Sequence, residues 1–540
     1  MPVKVVVVGS GLSAVGALKA IVKAGIKPLV IDVGRQLDAE RQKLKLRLAA
    51  TEPANWALED IRNLASNPTA KSKTEIPKKL VLGSDYFYSS DNSQITNLDN
   101  FSQASPPYSL ARGGFSAGWG AAYLPPAESD IKDWPVAHGV ILEHMRECLH
   151  NISCSEPIDA LSEYFPALKQ DSGETLRLTK GQRKLLQTFS SSMRSTEASP
   201  EVFGQARLMT RINSVGDLEG CNYCGYCNAG CVYDAIYKAE LEINQMQLDQ
   251  QIEYLGGWNV LTINEHGSSV KMSMINEVSG EQKIVEADRL FLAAGAVNTT
   301  RIMLQSQNMS GFEATIKQTG GFLQPFASPI NYPIEWPNQN TQSNLFLEFK
   351  EPRVSDHWVH VQVSQPNEVA MSKLGLNHST INSVRGKLAK FASGNLLVAI
   401  VNTHSDHGSK YVVRIGDNFV NGVAQLESKQ ILYSKQKQVV TVLNSRLKKI
   451  FRRKGAVALG FARQESFASV GYHCGSSFPM STNPKLSTDT DSLGRPFGWK
   501  HVHIVDTSVL PSIPGTSIGL LAMANANRIA TSALNSALIS

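Results

Sequence analysis

The sequence predicts an α/β protein: a Rossmann-like domain assembled from discontinuous segments, joined to an α+β domain with an antiparallel sheet. Three observations predict it. The opening thirty-odd residues read as strand, glycine turn, helix and strand. Later stretches, before Gly295 and at Val502–Asp506, return to strands of the same buried kind. Between them, residues 320–460 change character to long strand-like runs. At 540 residues the chain is too long for one core.

The opening unit is the most specific. Lys4-Val-Val-Val-Val8 is a β-branched run, as expected of a strand buried on both faces. Gly9-Ser-Gly11-Leu-Ser-Ala14-Val-Gly16 follows at once, then a helix over Ala17–Ala24 closed by Gly25, then a second strand, Pro28–Asp32. This is a dinucleotide fingerprint in its proper frame. Gly9 permits the tight turn, and Gly11 lets backbone N–H groups approach a diphosphate at the helix N-terminus. Ala14 and Gly16 are expected to let the helix lie close to the strand, and Asp32 to accept hydrogen bonds from a ribose diol. The motif alone does not separate FAD from NAD; its position at residue 9 favours FAD.

An apolar content of 42%, a charged content of 19% and a net charge of +6 describe an ordinary globular protein. No sustained basic stripe argues for nucleic acid. No apolar run is long enough for a membrane-spanning helix, and the N-terminal apolar run belongs to the fingerprint strand, so a cytoplasmic location is expected. Seven cysteines, four of them crowded together, fit a reducing compartment better than a disulfide framework.

Residues 36–75 are polar and helix-prone, with Trp56 as an anchor, and Lys79–Tyr88 reads as a short strand entering a loop. Gly113, Gly114, Gly118 and Gly120, interleaved with Ser116 and Trp119, imply backbone pressed against something flat or charged, here a cofactor-lining loop. Residues 136–205 are expected to be helical, with Cys148 and Cys154 as buried small hydrophobes. Cys221, Cys224, Cys227 and Cys231 follow with the C-x2-C-x2-C-x3-C spacing of bacterial ferredoxins, but Val232 replaces the usual proline and no second run exists. An iron–sulfur cluster, a tetrahedral zinc and a metal-free loop all stay open.

Asn259–Ile263, Ser269–Met274 and Gln282–Val285 read as a meander. Asp288–Ala296, with Ala294 and Gly295 at its end, is a buried strand that returns to the dinucleotide, followed by a helix over Val297–Gln305. Asn344–Lys350, His357–Val363, Asn395–Val401 and Tyr411–Ile415 are strands of the antiparallel sheet, with a helix over Ser434–Lys454. His404 and His407 fall after one strand and are expected in a solvated loop. At the end come His473 among glycines, a strand ending at Asp506, and a helix of small residues over Thr516–Ala530. The division expected is 1–135, 206–310 and 461–540 for the FAD-binding domain, 136–205 for a helical cap on the substrate side, and 311–460 for the substrate domain.

Four blocks in order resemble the glucose–methanol–choline (GMC) oxidoreductases, and the cysteine run is similar to one in bacterial members. The blocks are the fingerprint at Gly9–Gly16, the loop Gly113–Gly120, Ala293–Arg301 and the tail from Tyr472 to Ala530. The resemblance implies non-covalent FAD held by Gly9, Gly11, Ala14, Gly16 and Asp32, and by Gly113, Gly114, Ser116, Trp119, Gly120, Ala294, Gly295, Asp506 and Thr516. It implies oxidation of a CH–OH group of a sugar, polyol or other alcohol by hydride transfer to flavin N5, with His473 as base. Family members usually carry a second His or Asn where this chain has Gly515-Thr516-Ser517-Ile518. Thr516 and Ser517 offer hydroxyls there, not a base. That departure keeps two alternatives in play: a flavoprotein reductase or isomerase acting on C=C or C=O, and a FAD-bound protein without turnover. An iron–sulfur cluster at the cysteines would pass electrons singly to a redox partner protein.

Overall fold

The computed structural model describes residues 4–64, 80–87, 95–97, 106–169, 174–191, 199–309, 311–368, 371, 383–420, 423–465 and 472–539. The opening unit forms as its residues dictate: β1 (Val5–Val8), α1 (Leu12–Lys23) and β2 (Leu29–Ile31). All four residues of β1 are buried. A strand covered on both faces needs such a run, and β1 pairs in parallel with β2 on one side and with Arg289–Leu292 on the other. Val502–Ile504 and Glu253–Leu255 extend the edges, giving a five-stranded, all-parallel sheet. Its strands come from three distant stretches, so the discontinuous Rossmann-like domain is present.

The last helix, Gly519–Ile539, packs along α1. Gly16 sits at their contact: a Cβ there would stand 2.0 Å from the Met523 carbonyl oxygen. Asn527 Nδ2 also donates to the Gly16 oxygen at 3.0 Å. The glycine therefore admits the C-terminal helix; the expectation that it serves strand contact is corrected. The residues it meets lie some five hundred positions away.

The antiparallel region is two sheets rather than the one expected. A six-stranded sheet runs in the order Val457–Ala458, Gly320–Ala327, Leu396–Thr403, Ser355–Ser364, Leu345–Glu351, Glu201–Gln205. A second joins Cys474–Gly475, Ala314–Gln318, Lys410–Val420, Val423–Ile431 and Ile95–Asn97. The apolar face of the first, including Leu345, Leu347, Val361 and Val401, packs with residues of the helices Lys180–Ser190 and Gln436–Arg452. The alternate residues Glu348 and His360 are polar and also buried. The meander forms over Trp258–His266, Ser269–Asn276 and Gln282–Ala287.

Two further expectations are corrected. Residues 136–205 are not all helical, because Glu201–Gln205 is an edge strand. Its charged first residue disguised it; buried Glu201 is held by Arg446 at 3.0 Å and by Arg453. The strand expected over residues 79–88 is a tight turn at Val81–Ser84, with Leu82 and Gly83 both at positive φ. Lys79 and Tyr88 lie outside the described residues. Among the described residues no helix is long and apolar enough to cross a membrane.

Candidate active site

A cleft of about 190 Å³ opens where the parallel sheet meets the glycine loop and the C-terminal segment. Gly9 has φ +102°, and a Cβ on it would lie 2.4 Å from the Ala293 carbonyl oxygen, so only glycine makes this turn. Gly11 caps α1 without a side-chain acceptor, leaving first-turn N–H groups for a ligand. Asp32 directly follows β2 in the cleft wall. Its carboxylate accepts from Ser10 Oγ and from Tyr254 Oη at 3.0 Å, and Arg112 stacks on the Tyr254 ring at 4.1 Å. Burial pushes the Asp32 carboxyl up to about 6, against the opposing pull of those hydrogen bonds. Ser10 also accepts from the Gly113 amide at 2.9 Å, tying the fingerprint turn to the glycine loop. Ser10 stands inside the fingerprint itself, whereas Tyr254 comes from far along the chain and carries no sequence signal for this role.

The remaining expected cofactor residues divide. Gly114, Ser116, Ala294, Gly295 and Asp506 line the cleft with Gly9, Gly11 and Asp32. Ala14, Gly16, Gly113, Trp119, Gly120 and Thr516 do not. Gly113 is backed by Glu240, whose amide nitrogen would be 2.9 Å from an added Cβ. Trp119 donates to the Tyr237 oxygen at 2.6 Å and packs on Gly519, so it anchors the loop to the start of the last helix. Gly120 offers its oxygen to Gln342 Nε2 at 2.7 Å. Asp506 has both oxygens engaged, one by Gly295 N at 2.9 Å and Thr299 Oγ1, the other by Ser508 N at 2.9 Å. It fixes the turn leading into the Ala296–Ser306 helix. A helix N-terminus, a glycine cradle and a buried carboxylate fit the diphosphate and ribose of an adenine dinucleotide.

His473 stands between Tyr472 and Cys474, which line the cleft while His473 does not. The flanking Gly471 lies outside the described residues. Burial pushes the His473 imidazole down to about 4, and the charge of His360 adds to the shift. His360 is buried in the six-stranded sheet, its Nδ1 2.6 Å from Glu348 Oε1 on the neighbouring strand. Glu348 Oε2 has no hydrogen-bond partner. Burial raises the Glu348 carboxyl and the His360 contact opposes that rise. Thr516 and Ser517 are buried just before the last helix, and the Thr516 hydroxyl has no partner. Gly515 beside them is against the Asn402 and Trp358 carbonyls, where an added Cβ would be at 3.1 and 3.2 Å. The segment missing a second imidazole is thus laid on His360's own strand and on the strand paired with it. The alternation His357-Trp-Val-His360-Val-Gln362 marked a polar face, but its register with Glu348 was not readable.

The four crowded cysteines are free thiols. Among the described residues, no three of them bring their Sγ atoms within 4.8 Å of one another, as a single tetrahedral ion requires. Burial raises the thiols of Cys221, Cys224 and Cys227. The run is a packed turn: Tyr226 sits 5.8 Å from both Trp56 and Trp336, and Cys227 Sγ accepts from Thr341 N at 3.3 Å. The geometry supports neither the zinc nor the iron–sulfur reading. His404 is also corrected: it is 2% exposed rather than in a solvated loop, and His407 beside it is partly buried.

Residues 426–526, which contain His473, Asp506, Thr516 and Ser517, match the family model of the GMC oxidoreductases. Curated protein sequences give no match. Among solved structures, pyridoxine 4-oxidase from Mesorbium loti is similar, with a TM-score of 0.63 at 13% identity, over 98% of this chain and 99% of that one. The family match thus covers residues 426–526, and the fold of nearly the whole chain is similar to that of pyridoxine 4-oxidase.

Proposed function

We propose that the protein binds FAD without a covalent bond and oxidises a CH–OH group of a small alcohol, sugar or polyol. When bound, the flavin supplies the hydride acceptor. The N–H groups at the start of α1 hold the diphosphate, and Asp32 accepts from the ribose diol. His473 takes the hydroxyl proton on a ring nitrogen. Its low pKa keeps that nitrogen bare at neutral pH. The observation that carries the reading is this neutral imidazole set between two cleft-lining residues, Tyr472 and Cys474. In the six-stranded sheet Glu348 holds His360 Nδ1, and the charge of His360 bears on His473. Pyridoxine 4-oxidase is similar in fold alone, so the substrate is set no more narrowly than an alcohol.

The test is anaerobic bleaching of the bound flavin by a panel of alcohols. His473→Ala is expected to keep FAD and to slow bleaching by about a hundredfold or more. An unchanged rate removes the base assignment. Bleaching by a nicotinamide donor and by no alcohol favours the reductase instead.

A further inference from the structure

We infer that the helix-covered face of the six-stranded sheet docks the protein on a bilayer of anionic phospholipid, with the helix Val384–Ser393 lying among the headgroups. That helix is built inside out. Val384, Leu388 and Phe391, at i, i+4 and i+7, form one stripe and are 78%, 65% and 67% exposed. Its inward residues are small: Gly386 and Ser393 are buried, and Ala389 packs on the core. A surface helix ordinarily turns such a stripe inward. Single exposed apolar residues are commonplace, whereas a contiguous row with a charged border marks an interaction surface. Arg385 and Lys387, both exposed, supply that border. A helix with Leu and Phe on one side and Lys and Arg beside them suits the plane between lipid tails and headgroups, where the long cationic stems reach back to the phosphates.

The neighbouring helices set the charge of the lipid. Lys180–Ser190 and Gln436–Arg452 pack on the apolar face of the sheet, so their outer rows point away from it. Those rows expose Lys180, Arg183 and Lys184 on one helix and Lys448, Lys449 and Arg452 on the other. Arg446 and Arg453 are engaged by buried Glu201, but these six have no ion pair among the described residues. The three helices together hold eleven Lys and Arg and no Asp or Glu, in a chain whose net charge is +6. The rest of the chain is therefore net acidic. The apolar stripe and the basic rows join through Asn331, whose oxygen accepts from Lys184 Nζ at 3.0 Å and whose Nδ2 donates to the Phe391 oxygen at 2.8 Å. Glu335 also stands at this joint, its carboxylate engaged by the Lys180 amide at 2.8 Å.

A patch that is both cationic and apolar matches an anionic bilayer, which offers phosphate and hydrocarbon together; an acidic protein surface offers only the charge. None of these residues lines the nucleotide cleft, so docking and flavin binding are separate events. Attachment of this kind needs no spanning helix, and none occurs among the described residues.

The experiment sediments the purified full-length protein with vesicles of phosphatidylcholine alone and of phosphatidylcholine mixed with phosphatidylglycerol. The expected result is binding to the mixed vesicles only, weakened by high salt. Lys448→Gln with Lys449→Gln should weaken it about 25-fold, at about fivefold for each surface cation. Leu388→Ser with Phe391→Ser should weaken it about tenfold or more. All four positions are exposed, so both variants should melt with the parent. No binding to the mixed vesicles overturns the proposal, as does equal binding to phosphatidylcholine alone. Capture by soluble polyglutamate but not by vesicles overturns it in favour of an acidic protein partner. Unchanged binding in the serine variant overturns it as well, because adsorption by charge alone needs no apolar stripe. None of these readouts depends on the flavin assignment.

Discussion

Gly16→Ala tests how the nucleotide cleft is held in shape. The added methyl group would stand 2.0 Å from the Met523 oxygen and 2.8 Å from its carbonyl carbon, both backbone atoms of a buried helix. Opening that contact to an ordinary 3.4 Å requires α1 and the last helix to part by about 1.4 Å. Overpacking of this kind costs about 1–3 kcal/mol. Stretching the Asn527–Gly16 bond and stranding a buried amide costs about 1–3 kcal/mol more. Alanine's better helix propensity returns about 1 kcal/mol. The net destabilisation is about 1–5 kcal/mol, a melting shift of roughly 2–20 °C at about 2–4 °C per kcal/mol. Because α1 carries the N–H donors of the fingerprint turn, FAD affinity should fall in parallel. The assay is thermal melting by circular dichroism alongside release of flavin fluorescence. A variant that melts within about 1 °C of the parent and holds FAD equally well would refute the account of the helix contact.

Four further outcomes follow from the site. The pH profile of kcat/KM should stay level from neutral pH downwards and fall only near His473's value of about 4. That value lies below the ordinary 6.5, so the unfolded chain takes up the proton first. Stability should therefore decline as pH drops from 6.5 towards 4 and be insensitive to this group above 6.5. Glu348→Gln should leave FAD bound yet slow flavin reduction about 10–100-fold, because the His360 tautomer is no longer held; single-turnover stopped flow decides, and a parental rate removes the couple from the mechanism. Asp32→Ala should weaken FAD binding by roughly 10–150-fold, the loss of a charge-assisted hydrogen bond, as read by calorimetry on apoprotein.

What could be read in advance followed from local chemistry. Val5–Val8 and Gly9 announce a buried strand and a tight turn in adjacent residues, and both formed. The meander and the strands within 344–415 carried their own alternation. What escaped depended on partners far along the chain. Gly16 looked like a helix–strand glycine because Met523 was out of view. Glu201 hid an edge strand until Arg446 and Arg453 neutralised it. His360 and Glu348 were ordinary strand residues until register placed them side by side. The cysteine run misled in the other direction, since spacing alone says nothing about whether four sulfurs converge.

The ancestry of the parallel sheet within the chain has a consequence for biosynthesis. β1 leaves the ribosome early, yet its second neighbour arrives only with Arg289–Leu292, and the outer strand only with Val502–Ile504. Until then its apolar edge has no native cover, and every such pairing closes a loop of hundreds of residues. Shortened expression products ending before that last strand should consequently be sticky, chaperone-dependent and prone to inclusion bodies, whichever chemistry the finished molecule performs.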